Sequence, residues 1–171
     1  MTRETFAIVA VIFIALLVGL GLLGWWVRRR RQRDVPAPVA VPEGFVARFS
    51  SDVLYVATTM ADNEYDRIAV HGLGLRSRAS LIIGDEGIVL SMPDTEVFTP
   101  VEDLREVQRA TWTIDRAVEP GGLLRYAWRL GAREVATNVR VIGDDGETLK
   151  QLLALLSDED SREATQAGKE S

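Results

Sequence analysis

Hydrophobic and polar positions alternate with a period of two through the later part of the chain. Leu124, Tyr126, Trp128 and Leu130 alternate with Arg125, Ala127 and Arg129. Beyond Gly131-Ala132, Val135, Thr137, Val139 and Val141 alternate with Glu134, Ala136, Asn138 and Arg140. Such alternation marks strands with one buried face, and a two-residue loop containing glycine joins them as a hairpin. A turn at Gly131-Ala132 sets Arg129 opposite Glu134 and gathers both apolar sets on the other face. A slip of one residue would turn a whole side outward, so the register is strongly specified.

Earlier segments carry the same signal. Val53 to Thr58 is β-branched and aromatic, and Ala79, Leu81 and Ile83 lead through Gly84-Asp85-Glu86-Gly87 into Ile88, Leu90 and Met92. Pro93-Asp94 marks a turn before Glu96 to Thr99. Thr99-Pro100-Val101-Glu102 reads as one helical turn leading into a strand that carries Ala110, Trp112 and Ile114. Seven strands are therefore predicted near 53–58, 78–84, 87–92, 95–99, 106–114, 123–130 and 134–142. The period then changes. Asp144 with Glu147 resembles a capping box, and Leu149, Leu152, Leu153 and Leu156 fall at i, i+3, i+4 and i+7, the stripe of an amphipathic helix. Strands followed by a terminal helix predict a mainly β domain over 45–156: an antiparallel barrel of two packed sheets closed by the helix.

The ends of the chain differ in kind. Phe6 to Val27 carries no charge and, as a helix, would reach roughly 33 Å, enough for a hydrocarbon core of about 30 Å. Trp25 and Trp26 sit at its end, and Arg28, Arg29, Arg30, Arg31 and Arg33 follow. The run is too long for a signal peptide and offers no cleavage site. A transmembrane helix over 6–27 is expected, with 1–5 outside the cell membrane and the rest cytoplasmic by the positive-inside rule. Those tryptophans and arginines become the interface and topology residues. Ala15 and Gly19 form a small-xxx-small pair that would serve a weak homodimer. Residues 28–44, with Pro36, Pro38 and Pro42, read as a basic, then extended linker, and 157–171 as a disordered tail.

Seven strands and one terminal helix are the order of pleckstrin-homology-like (PH-like) domains. Tyr55-Val56-Ala57-Thr58-Thr59, Arg67-Ile68, His71 to Ala79 and Phe98 to Leu104 resemble the single-span bacterial PH-like proteins of actinobacteria. The resemblance implies a cytoplasmic PH-like module behind a membrane anchor, with no established biochemical activity.

Composition removes most chemistry. The chain of 171 residues has no cysteine and one histidine, which excludes thiolate chemistry, disulfides and polyhistidine metal sites. His71-Gly72-Leu73-Gly74 lacks the third glycine of a dinucleotide fingerprint. Asp62, Glu64 and Asp66 open like a calcium loop, but Arg67 stands where glycine is needed and Leu73 where the bidentate glutamate belongs. An enzyme would have to draw on these three acids and His71, and no catalytic, cofactor or metal site is expected. From Phe45 onward 14 basic and 22 acidic residues give a formal charge of −8, which argues against nucleic acid and against an anionic leaflet. Arg76-Ser77-Arg78 resembles part of the head-group element of phosphoinositide-binding PH domains.

The expected function is a membrane-anchored, non-enzymatic adaptor presenting a PH-like domain to a protein partner at the inner leaflet. The alternatives are an anionic head-group sensor using Arg76 and Arg78, or an accessory subunit of a transporter.

Overall fold

The structure, a computed structural model, describes the backbone of residues 3–31, 35–109 and 123–167, with helix side chains at 8–24, 26–27, 145–159 and 161. The chain forms two compact units, Met1–Asp34 and Val35–Ser171. The first contains helix α1, Arg3–Arg31. Here the expected transmembrane segment is corrected: among the described residues no helix is long and apolar enough to cross a membrane. Charge bounds α1 at both ends. Arg3 and Glu4 open the helix and Arg28 to Arg31 close it, so it is not apolar enough over its length to span.

The second unit holds strands β1 (Phe49–Met60), β2 (Ser77–Gly84), β3 (Gly87–Met92), β4 (Thr95–Pro100), β5 (Leu104–Arg109), β6 (Leu123–Leu130) and β7 (Arg133–Val141), then helix α2 (Asp145–Ala167). All pairings are antiparallel, in the order β4-β3-β2-β1-β7-β6-β5. A 3₁₀ turn, Val101–Asp103, joins β4 to β5, matching the predicted helical turn before a strand. The stretch carrying Ala110, Trp112 and Ile114 lies outside the described residues.

The seven strands form one continuous sheet rather than two separate ones, and β1 is the reason. Its first half, Phe49 to Tyr55, pairs with β2, while Val53 to Met60 pairs with β7. A bulge between Tyr55 and Ala57 shifts the register. Bulges bend a strand and increase its twist, so one sheet curls over itself here. The extra residue also switches which parity faces inward: Val53 and Tyr55 precede it, Thr58 and Met60 follow. Val56 and Ala57 pack instead with Leu123 in a small separate cluster.

The β6–β7 hairpin has the expected register, with Arg129 opposite Glu134 and Trp128 opposite Val135. Gly131 takes φ +61° at the first turn position, a conformation that glycine adopts without steric cost. Helix α2 packs on β5, β6 and the 3₁₀ turn. Asp144 caps it, accepting from the backbone N–H groups of Gly146 (2.9 Å) and Glu147 (3.3 Å). Its buried face is centred on Thr148, Leu152 and Leu155, so Leu153, about 100° around the helix from Leu152, is exposed. The helix runs on to Ala167 instead of giving way to a loose tail at 157. Propagating a helix already nucleated costs little, and Ser157 and Ser161 donate back to the Leu153 and Ser157 carbonyls.

The proline-rich segment lies on the domain as a strap. Val35 is part of the main core, and the Pro36 ring sits against the Gly131 turn. Further along, Phe45 meets Phe98 edge-on at 5.9 Å and covers Gly84. Arg48 closes the strap by pairing with Asp85.

Candidate functional site

The barrel interior is filled by side chains. Trp128, Tyr126, Tyr55, Leu81, Leu90 and Leu124 are among the largest buried groups. Through them runs a chain of hydrogen bonds whose direction follows from donor counting. The Trp128 indole can only donate, and Nε1 lies 3.0 Å from Thr137 Oγ1. Thr137 Oγ1 is 2.9 Å from Thr58 Oγ1, which is 3.0 Å from the Tyr55 hydroxyl. Tyr55 Oη is 2.8 Å from the Leu73 carbonyl, which can only accept, so the single phenol proton is committed there. The Thr58 hydroxyl therefore donates to Tyr55. The chain reads Trp128 to Thr137 to Thr58 to Tyr55 to Leu73, each hydroxyl giving and receiving once. Burial pushes the Tyr55 phenol up to about 12 and raises Tyr126 further, in each case against hydrogen bonds that act the other way.

That chain ends in the β1–β2 loop and helps to fix it. Ile68 and Leu73 point into the core. The Ile68 N–H donates to the Thr58 carbonyl, and Thr59 bridges Arg67. Arg125 on β6 reaches over to donate to Glu64 Oε1 (3.0 Å) and the Ala61 carbonyl (2.9 Å). His71, with φ +55°, places Nε2 2.8 Å from the Val35 carbonyl, tying loop to strap. Gly72 at φ +80° lies so close to the Thr95 side chain that a Cβ would collide with it. The acids of the supposed calcium loop are thus apportioned: Glu64 holds Arg125, and Asp66 bonds through its backbone to Met60 and Asn63. Among the described residues no three metal-ligating side chains converge.

Outside the barrel, a row of side chains crosses the sheet. Leu54 on β1 has Arg78 of β2 directly opposite on one side and Arg140 of β7 on the other. Leu123 of β6 continues the row. Arg78 alternates with buried Ala79 and Arg140 with buried Val139 and Val141, so both face away from the core. Arg78 is exposed, and Leu54 and Arg140 are half-buried. Most arginines of the domain are engaged: Arg48 with Asp85, Arg109 with Asp145, Arg129 with Asp103, and Arg125 with Glu64. Among the described residues, neither Arg78 nor Arg140 has an ion-pair or hydrogen-bond partner in its side chain.

Of the head-group residues anticipated from sequence, Arg76 lies just before β2 and Arg78 within it, on the outer sheet face. Arg140, the second basic residue of the row, is 62 positions further on and joins the row only because β1 pairs with both β2 and β7. Trp26 is exposed on α1, whereas the side chains of Trp25 and Arg28 to Arg31, and Arg33 altogether, lie outside the described residues. Ala15 and Gly19 lie on α1, with open space around Gly19.

A family model described as bacterial PH domain-like matches residues 33–157. The chain belongs to that family. The matched stretch of this bacterial PH-like chain takes in the strap at one end and stops within α2 at the other. No curated protein matches it. Among solved structures, it is similar to the C-terminal domain of an unknown protein from Leishmania infantum, at 8% identity and a TM-score of 0.44, over 66% of this chain and 85% of that one. PH-like domains are generally non-enzymatic binding modules.

Proposed function

We propose that this bacterial PH-like domain is a protein-binding adaptor that recognises its partner on the barrel exterior. The observation that carries this reading is the filled interior. Trp128, Tyr126 and Tyr55 occupy the space in which a wider barrel would hold a small molecule, and the polar atoms of Trp128 and Tyr55 are linked through Thr137 and Thr58 and on to Leu73. Recognition then falls to the sheet face, the loops and the strand edges, surfaces suited to polypeptides. The formal charge of −8 from Phe45 onward favours a protein over an anionic bilayer as the occupant.

Proximity labelling from the carboxyl terminus, in cells that naturally make the protein, tests the reading. A defined set of proteins should be labelled by the full chain and lost when residues 45–156 are deleted. Identical labelling by both would refute it, and flotation of the full chain on anionic vesicles that depends on the domain would assign the surface to lipid.

A further inference from the structure

We propose that the outer face of β2, β1 and β7 receives an acidic amphipathic helix of the partner protein, laid across the three strands. One helix carboxylate meets Arg78, another meets Arg140, and an apolar side chain between them rests on Leu54. The inference rests on the adaptor reading above and names the chemistry of the partner.

Geometry selects a helix. Residues directly opposite on neighbouring antiparallel strands are roughly 5 Å apart, so Arg78 and Arg140, one strand either side of Leu54, stand about 10 Å apart. Two helical turns, from i to i+7, advance about 10.5 Å, and i+3 or i+4 falls midway on the same face. An extended segment repeats its side chains every two residues at roughly 6.7 Å and fits this interval poorly. The pattern acid, apolar, acid at i, i+4 and i+7 is therefore complementary to the row basic, apolar, basic.

Chemistry agrees. Each guanidinium is a planar fork of donors matched to a carboxylate, and among the described residues neither of these two has a partner, whereas Arg48, Arg109, Arg125 and Arg129 are each ion-paired. Because the domain as a whole is acidic, an extended anionic surface meets repulsion from its many carboxylates once within a Debye length of about 8 Å, while two correctly spaced carboxylates meet the two arginines at contact. Asp52, exposed on the same face one step along β1, sharpens the register by repelling an acid placed there. Beside it Ile142, whose N–H donates to the Asp52 carbonyl, exposes half its surface and extends the apolar contact.

The test uses the full chain and a synthetic alanine-rich helical peptide with glutamate at i and i+7, leucine at i+4 and a photoreactive benzoylphenylalanine at i+3. At physiological salt the peptide should form adducts on β1, β2 and β7. Affinity should fall at least ~10-fold in the Arg78→Gln/Arg140→Gln variant, and equally when the second glutamate is moved to i+5, off the shared helix face. Arg133→Gln, at an arginine off this row, should leave affinity within about 2-fold. Adducts confined to the Arg28–Arg33 run, indifference to glutamate spacing, or equal loss in Arg133→Gln would each overturn the proposal. The peptide arm needs no variant to fold. Phosphatidylglycerol vesicles that compete through Arg78 and Arg140 would overturn it in favour of lipid. Domain-dependent proximity labelling that survives the double substitution would leave the adaptor reading standing and remove only this inference.

Discussion

Thr137 is the junction of the buried hydroxyl chain, and its replacement by valine isolates what that chain contributes. The two side chains have nearly the same shape, so packing is preserved while the hydroxyl disappears. Thr137 and Trp128 are each 1% exposed. Valine leaves the Trp128 indole N–H without an acceptor, in a place water does not reach. An orphaned buried donor costs about 1–3 kcal/mol, and the lost Thr58 bond about 0.5–1.5 kcal/mol more. The expected destabilisation is therefore roughly 2–4 kcal/mol, a large share of the ~5–15 kcal/mol typical of a domain. Guanidinium unfolding followed by circular dichroism reads it directly as a lower midpoint with unchanged slope. A double-mutant cycle with Trp128→Phe separates the bond from the packing, since removing the indole N–H should cost less once its acceptor has gone. A Thr137→Val midpoint indistinguishable from the parent, or a cycle with no coupling, would refute the directed chain from Trp128 to Leu73.

Other consequences follow from the same structure. Tyr55 and Tyr126 are both raised, so the native state keeps protons that the unfolded chain releases; for Tyr55 the stabilisation is intact below pH 10.0 and fades as pH climbs towards about 12. Absorbance at the phenolate band should show these two phenols ionising together with loss of the fold. Removing the strap before Phe45 uncovers the core around Val35 and deletes the acceptor of His71, lowering stability by about 2–4 kcal/mol in denaturant titration. Gly131→Ala tests the same contact more gently, because its Cβ would lie 2.6 Å from Pro36 Cγ; the thermal midpoint should drop measurably. Leu152→Ala should cost about 2–5 kcal/mol and Leu153→Ala far less, which chemical denaturation of the pair distinguishes.

The strands were legible because their outer positions are polar and their inner ones apolar, most plainly in β6 and β7, where the glycine turn fixed the pairing of Arg129 with Glu134. β1 was harder to delimit. Ser50, Ser51 and Asp52 weaken the apolar signal at its start, and the bulge at Val56 merges two parities into one continuous buried run from Tyr55 to Thr59. Hence the bend that makes a single sheet stayed hidden. The strap was read as a spacer because proline density reports extended backbone, not what Val35 and Phe45 touch. Thr58 and Thr137 looked like ordinary β-branched strand residues; they meet each other, and Thr137 meets Tyr126, only through the pairing of β7 with β1 and β6. Leu153 matched the leucine periodicity yet sits at the margin of the buried arc, which the neighbouring Thr148 and Leu155 shift away from it. Arg78 and Arg140 become neighbours only through the pairing of β1 with both β2 and β7, a tertiary fact that spacing along the chain does not encode.

Recognition by the barrel's outside is the claim on which the functional account depends. Hydrogen exchange of the full chain, alone and saturated with the partner obtained by proximity labelling, addresses it most directly. Added protection should concentrate on β1, β2 and β7 around Leu54, Arg78 and Arg140, with the Tyr55–Thr137 interior unchanged; protection centred on the barrel interior, with the outer row untouched, would contradict it.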